Sequence, residues 1–466
     1  MSDNNDALAS TGDGFASAAS IGCPEARLFM NRRNLLGMSV GLFTWGLMPR
    51  VASAAGSADP RLLIVLLRGG IDGLNVVANT GDENYARLRG KLKLDTRTSS
   101  PLNIADYSGY SINNLMPNYK NMLASGEARM VLPIAPPLRS RSHFDCSFNL
   151  ENGYDAGSIA HDGWLNRLLY SMRPSADQLP PAKWSTVSIG NTPVILTGAE
   201  TSVLTWTPTF FSNEFFQTSA RASLTTQSDP LWNLYGETGH AELQSALSSG
   251  LDTDLKARRD MGLFRGLNGL QSTFVGAASL LRGDVGPRIA VITVDNFDSH
   301  IGESDKSTQV LANFDSSLGK FKNAMGDAWA KTVVVCVSEF GRTVTENGFG
   351  GSDHGTGTVA LLAGGAFNTT PAAVSSASRA RPAASSTTRT AASTTRSPII
   401  GRWPTLVERS LLDNMDVPAD YDTRTLFRAV LREHLDVPDA TLNTIFPGTD
   451  PATRSGRSLL NIANLL

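Results

Sequence analysis

The stretch RIAVITV, 288–294, is followed by STQVLANFDSSLGKFKNAMGDAWA and then by TVVVCV, 332–337. The two outer runs are short and almost continuously apolar, as expected of strands covered on both faces. Between them Val310, Leu311, Phe314, Leu318, Phe321, Met325 and Trp329 recur at helical spacing. Strand, amphipathic helix, strand is a βαβ unit, which requires a parallel pair of strands. Further runs fit the same pattern. RLLIVLLRGG, 61–70, ends in glycines; ARMVLPIA, 128–135, is stopped by Pro136 and Pro137; TVSIG, 186–190, and TVALLAG, 358–364, complete the strands. TLFRAVLREHL, 425–435, reads as a late amphipathic helix. The expected fold is α/β: a mostly parallel central sheet flanked by helices, spanning roughly 60–450.

Two segments stand apart. Residues 200–285 are Thr/Ser-rich and then helical, which suggests a lid or an inserted helical subdomain. Residues 369–398, TTPAAVSSASRARPAASSTTRTAASTTRSP, are low-complexity, basic and nearly free of large apolar side chains. Such a stretch cannot build a core and reads as a disordered insertion, a local reading-frame error being the alternative.

The N-terminus reads as an address. From Met30, Arg32 and Arg33 form a twin-arginine pair, Leu35 to Met48 is apolar, and Ala52-Ser53-Ala54 offers a small-x-small cleavage site. Residues 30–54 therefore predict a twin-arginine export signal, which makes the export machinery a partner and the destination periplasmic or extracellular. A membrane anchor is the other reading, but a span needs about 20 residues, so no stable span is expected in the mature form. Residues 1–29 are a polar, unpatterned leader, or Met30 is the true start. Net charge is −2 with no long basic run, which argues against nucleic acid as a partner. Of the three cysteines, Cys23 falls before the mature chain, and Cys146 and Cys336 are expected as buried free thiols.

Ligands of open α/β sheets bind beyond the carboxyl ends of the strands, and the chemistry-bearing residues cluster there. Asp72 follows strand 61–67. Ser140, Ser142, His143 and Asp145 follow strand 128–135. Asp298 and His300 follow strand 288–294. Glu339 and Arg342 follow strand 332–337, and Asp353 and His354 lie in the glycine-rich loop beyond it. Carboxylates and imidazoles are ordinary ligands for Zn, Mn or Mg. Asp72, Asp298, His300, Glu339, Asp353 and His354 are the candidate metal ligands. Ser142 is the candidate nucleophile, His143 a second-layer or substrate contact, and Arg342, Arg68 and Arg141 candidate contacts to an anion. Each has an ordinary alternative: Asp72 in an Asx turn, Ser142 as a helix cap, Glu339 paired with Arg342. His161 and His240 read as structural or surface residues.

The ordered motifs LLIVLLRGGIDGLNVV, GDENYARLR, RSRSHFDCSFNLENG, DGWLNR, VDNFDSH, SEFGRTVTENGFGGSDHGTG, GRWP and FPG resemble the DUF1501 family of exported bacterial proteins. That family is of uncharacterised function and is grouped with the alkaline phosphatase/sulfatase superfamily. Where the family has Gly-Trp-Asp-Thr-His, this chain has Asn296 to His300 with Phe297 in place of Trp. Where it has Thr-Asp-His-Gly, this chain has Ser352 to Gly355. The resemblance implies an alkaline phosphatase-like fold and one or two divalent ions, Zn or Mn favoured and Mg or Ca possible. The implied ligands are Asp72, Asp298, His300, Asp353 and His354, with Glu339 replacing a carboxylate. His434 is the sole histidine after His354, and it lies in a predicted helix. Cys146 lacks a sulfatase modification motif. The expected function is an exported metal-dependent hydrolase of phosphate or sulfate esters acting on an anionic small molecule or polysaccharide ester. The alternatives are a non-catalytic binding protein on the same fold and a structural, secretion-associated role.

Overall fold

The computed structural model describes residues 59–173, 186–189, 192–198, 204–206, 267–283, 287–368, 397–450 and 465. The predicted leader and export signal, Cys23, His240, most of 200–285 and most of 369–398 lie outside them.

Strand β1 (Arg61–Leu67) occupies the middle of the main sheet. It pairs in parallel with β8 (Ile289–Val294) on one side and β9 (Thr332–Ser338) on the other. Beyond β8 lie β6 (Thr186–Ile189) and β7 (Leu204–Trp206), again parallel. Beyond β9 lies β10 (Thr358–Ala363), antiparallel both to β9 and to β5 (Ala128–Ala135). Two short strands, β11 (Ile399–Ile400) and β12 (Tyr421–Asp422), run parallel to β5. The α/β reading with a mostly parallel sheet is therefore correct. Among the described strands of this sheet only β10 is reversed. The carboxyl ends of the others share one edge with the amino end of β10, so the loop entering β10 meets the loops leaving β1, β5, β8 and β9. A separate antiparallel sheet of β2 (Val77–Asn79), β4 (Tyr110–Asn113) and β3 (Ser99–Pro101) has no counterpart in the sequence reading. Its strands are too short to show a period.

The described α-helices are α1 (Gly73–Val76), α2 (Tyr85–Arg89), α3 (Pro117–Ala124), α4 (His143–Asn152), α5 (Trp164–Ser171), α6 (Gly269–Leu281), α7 (Glu303–Met325), α8 (Thr423–Leu435) and α9 (Asp439–Ile445). Alternate residues of β1 face opposite sides of the sheet, as the strand period demands. Leu63, Val65 and Leu67 join the core under α6 and α7, where Phe274 meets Phe314 and Phe321 edge-on at 6.3 Å. Leu62, Ile64 and Leu66 join the core under α5 and α8, where Trp164 packs on Phe427 at 4.7 Å and Phe446 at 5.2 Å. Each fully buried Leu or Phe contributes about 1.5–3 kcal/mol. The described parts of 200–285 are thus the strand β7 and α6, a sheet-covering helix packed on α7. No helix of the described residues is long and apolar enough to cross a membrane.

Candidate metal centre

The site forms where four loops are forced together. Gly69 adopts φ +114°, and a Cβ there would lie 2.2 Å from the Asp298 nitrogen. Only glycine lets the turn after β1 press against the loop after β8, where the Phe297 N–H also donates to the Arg68 carbonyl at 3.0 Å. On the other side Arg342 and His354 form a β-bridge, and a Cβ on Gly355 would meet the Arg342 carbonyl carbon at 2.6 Å. Helix α4 then brings in His143 as its first residue.

Asp298 is the hub. Its Oδ1 lies 3.1 Å from His300 Nε2 and 3.3 Å from His354 Nε2, and its Oδ2 lies 3.5 Å from His143 Nε2. Ligand atoms of His143, Asp298 and His354 all fall within 4.8 Å of one another. The rings crowd together: His143 meets His354 edge-on with centroids 4.4 Å apart, and Phe340 lies tilted against them at 4.8 Å and 4.7 Å.

The outer nitrogens decide what the inner ones can do. His354 Nδ1 is 2.7 Å from the Arg141 carbonyl, His300 Nδ1 is 3.1 Å from Asp353 Oδ1, and His143 Nδ1 is 2.9 Å from Glu339 Oε1. A carbonyl and two carboxylates only accept, so each Nδ1 carries the hydrogen and each Nε2 turns toward Asp298. This is the arrangement that metal-bound histidines show. The Nε2 of His143 is buried without a hydrogen-bond partner, which is costly unless something else satisfies it. One carboxylate with imidazole Nε2 atoms, that of His143 unpartnered, fits a divalent cation, so the cluster can hold one.

The electrostatics agree. Burial works against ionisation of Asp298, but the neighbouring imidazoles of His143, His300 and His354 and the Arg342 charge hold its carboxyl far below the usual range. Burial likewise disfavours charge on His143, yet Asp298 and Glu339 outweigh it and raise its pKa to about 9. His300 is raised chiefly by its hydrogen bond to Asp298. Glu339 is lowered, its burial being outweighed by His143 and the Arg68 charge.

The remaining sequence candidates sit as follows. Asp353 stands behind His300 and also accepts from Asn347 Nδ2 at 3.1 Å. Glu339 does not point into the cluster. It accepts from the Gly69 N–H at 2.8 Å and from His143, and it does not pair with Arg342. Asp72 does not join either: it caps α1 through Leu74 N–H and forms a buried ion pair with Arg89. The Asx alternative describes it. Ser142 is the N-cap of α4, accepting from the Asp145 N–H at 3.4 Å. Arg342 is fully buried and bonded to Asp298 at 2.6 Å. Arg141 pairs with Asp413 and Asp416, and Arg68 with Glu151. His161 packs on Phe148 at 5.4 Å, and His434 Nε2 meets the Arg61 carbonyl at 2.9 Å, both away from the centre. Cys146 and Cys336 are free and buried.

Sequence reasoning left out Arg89, Glu303 and Asn347. Glu303, 1% exposed, bonds to Ser352, and burial together with the Asp72 charge raises its pKa to about 8. Arg89 lies in the quoted motif GDENYARLR, but nothing in its spacing ties it to Asp72. The position of His143 among the ligand atoms was also missed. The signal available was its placement directly after a strand that ends on the same edge.

The family described as protein of unknown function (DUF1501) matches residues 160–380 of the chain. No curated protein matches it by sequence. Among solved structures it is similar to the C-terminal periplasmic domain of EcEptC from Escherichia coli in complex with Zn: 8% identity, 67% of this chain, 74% of that one, TM-score 0.32. It is also similar to a protein in the alkaline phosphatase superfamily from Vibrio parahaemolyticus: 10% identity, 72% and 69% covered, TM-score 0.31. A third is the soluble domain of lipooligosaccharide phosphoethanolamine transferase A from Neisseria meningitidis: 14% identity, 66% and 77% covered, TM-score 0.28.

Proposed function

For a chain whose residues 160–380 match the model of the DUF1501 family, we propose an exported, metal-dependent hydrolase of phosphate or sulfate esters, with an anionic small molecule or polysaccharide ester as substrate. The observation that carries it is the convergence of His143, His300 and His354, each with its Nδ1 hydrogen engaged outward, on the single carboxylate Asp298. His143, Asp298 and His354 would hold the ion, and nitrogen with carboxylate donors suit Zn or Mn. When bound, the ion would supply a Lewis acid at the ester oxygen.

The chain's own residues do the rest. Glu339, Asp353 and the Arg141 carbonyl orient the three rings. His300 is partly exposed, turns its Nε2 toward Asp298 and can meet an anion. Arg68 carries a nitrogen, Nη1, without a hydrogen-bond partner, a second contact for an oxyanion. Ser142, directly before His143, is the candidate nucleophile. Its capping contact of 3.4 Å is long, so its hydroxyl is only weakly committed; direct attack by water is the other route. The twin-arginine signal read at 30–54 would take the protein across the membrane by that export machinery.

A second reading, a binding protein on the same fold, is favoured by Asp72 and Glu339 being committed to Arg89 and His143 rather than to the cluster. Elemental analysis of protein purified without chelator, followed by a screen of phosphate and sulfate esters with and without added metal, separates them. Bound Zn or Mn with metal-dependent turnover supports the hydrolase. Metal-free protein that stays inert after loading sinks it.

A further inference from the structure

We infer that the centre takes one divalent cation and not two, because Arg342 is built into the place a second would need. This deepens the metal reading above and rests on it.

Every nitrogen of the Arg342 guanidinium is engaged. Nε donates to the Gly70 carbonyl at 3.0 Å and Nη1 to the Ser352 carbonyl at 3.0 Å. Nη2 donates to the Gly69 carbonyl at 2.6 Å, the Phe297 carbonyl at 3.1 Å and Asp298 Oδ1 at 2.6 Å. Four carbonyls from three loops thus clamp a positively charged, planar group. They set that charge on one oxygen of Asp298, while the other oxygen faces His143.

A second ion would have to use Oδ1 together with His300. It would lie against the guanidinium, two like charges on one oxygen in a largely buried setting where repulsion is weakly screened. The carboxylates that might offset it are committed elsewhere. Asp72 is neutralised by Arg89. Glu339 is held by the Gly69 N–H and His143. Asp353 lies behind His300 at Nδ1. Arg342 is therefore a fixed internal cation and a positioning residue for Asp298. With its nitrogens occupied by the backbone it does not reach a substrate, unlike the role the sequence suggested.

The test is stoichiometry. The purified protein is titrated with ZnCl2 and separately with MnCl2 by calorimetry, then desalted and analysed for metal per chain. One ion per chain in a single transition is expected. Two ions at saturation overturn the inference and leave the metal centre standing. No ion overturns the metal centre itself, and this inference with it. Arg342→Gln, checked for native circular dichroism, removes the charge and is expected to admit a second ion. A folded variant that still takes one shows that Arg342 is not what excludes the second. If the variant does not fold, the wild-type count alone decides.

Discussion

His300 and His354 point Nε2 at Nε2 across 3.0 Å, while each holds its Nδ1 against an oxygen that accepts. Two neutral rings so fixed would oppose their lone pairs. A positive charge has to sit beside that junction, either a proton on one ring or a bound cation. His354→Ala is accordingly expected to lower zinc affinity by more than about 100-fold, and Asp353→Asn, which only loosens the ring of His300, by about tenfold. Equilibrium dialysis against a chromogenic zinc chelator measures both. Equal losses would contradict the assigned roles.

Glu339 offers a related contrast. It is 1% exposed, orients His143 and satisfies the Gly69 N–H at the turn that presses on Asp298. Glu339→Gln keeps the shape but removes the charge that fixes the His143 hydrogen, so metal affinity should fall about 10- to 100-fold with little change in stability. Glu339→Ala should also destabilise the fold by about 1–3 kcal/mol, because the Gly69 donor is left unsatisfied. Chemical denaturation of both variants beside their metal titrations checks the split.

Much of this architecture was legible because its signals are local. The buried strands β1, β5, β8 and β9 announce themselves as apolar runs, and α7 by its period. The direction of β10 was not legible, since an apolar run of six residues looks the same in either orientation. Its reversal nonetheless brings Asp353 and His354 to the shared edge by the loop that precedes the strand. The roles within the cluster were not legible either. Asp72, Asp298 and Glu339 all follow strands, and what separates them is which partner each meets in space: Arg89 for Asp72, His143 for Glu339, three imidazoles for Asp298. His300 is two residues from Asp298, but Arg89 lies 17 residues from Asp72 and His143 lies 196 from Glu339.

The Asp72–Arg89 pair gives a prediction that divides structure from chemistry. Arg89 is fully buried and also donates to the Thr343 and Val344 carbonyls at 3.3 and 3.2 Å, so it ties the β1 turn to the loop after β9. Arg89→Met leaves Asp72 as an unpaired buried charge and should cost about 3–5 kcal/mol. Asp72→Asn keeps the Leu74 cap, should cost less, and should leave the metal stoichiometry unchanged. Loss of the ion in a folded Asp72→Asn protein would return Asp72 to the ligand set.

Stability should also depend on pH through a histidine far from the centre. His434, in α8, is enclosed against β1 with Nε2 on the Arg61 carbonyl at 2.9 Å. Burial lowers its pKa from the ordinary 6.5 to about 4, against the smaller opposing pull of that hydrogen bond and of Asp436. The folded value lies below the unfolded one, so between pH 6.5 and 4 the unfolded chain binds the extra proton. The contribution of His434 is therefore complete above pH 6.5 and is lost as the pH falls toward 4. The loss is at most about 3 kcal/mol, since each pKa unit is worth about 1.4 kcal/mol and the residue keeps some solvent exposure. His434→Gln can still donate to the Arg61 carbonyl but does not titrate. Urea denaturation at pH 7, 5.5 and 4.5 should show wild type losing stability more steeply than this variant, and parallel curves would rule out His434 as the source.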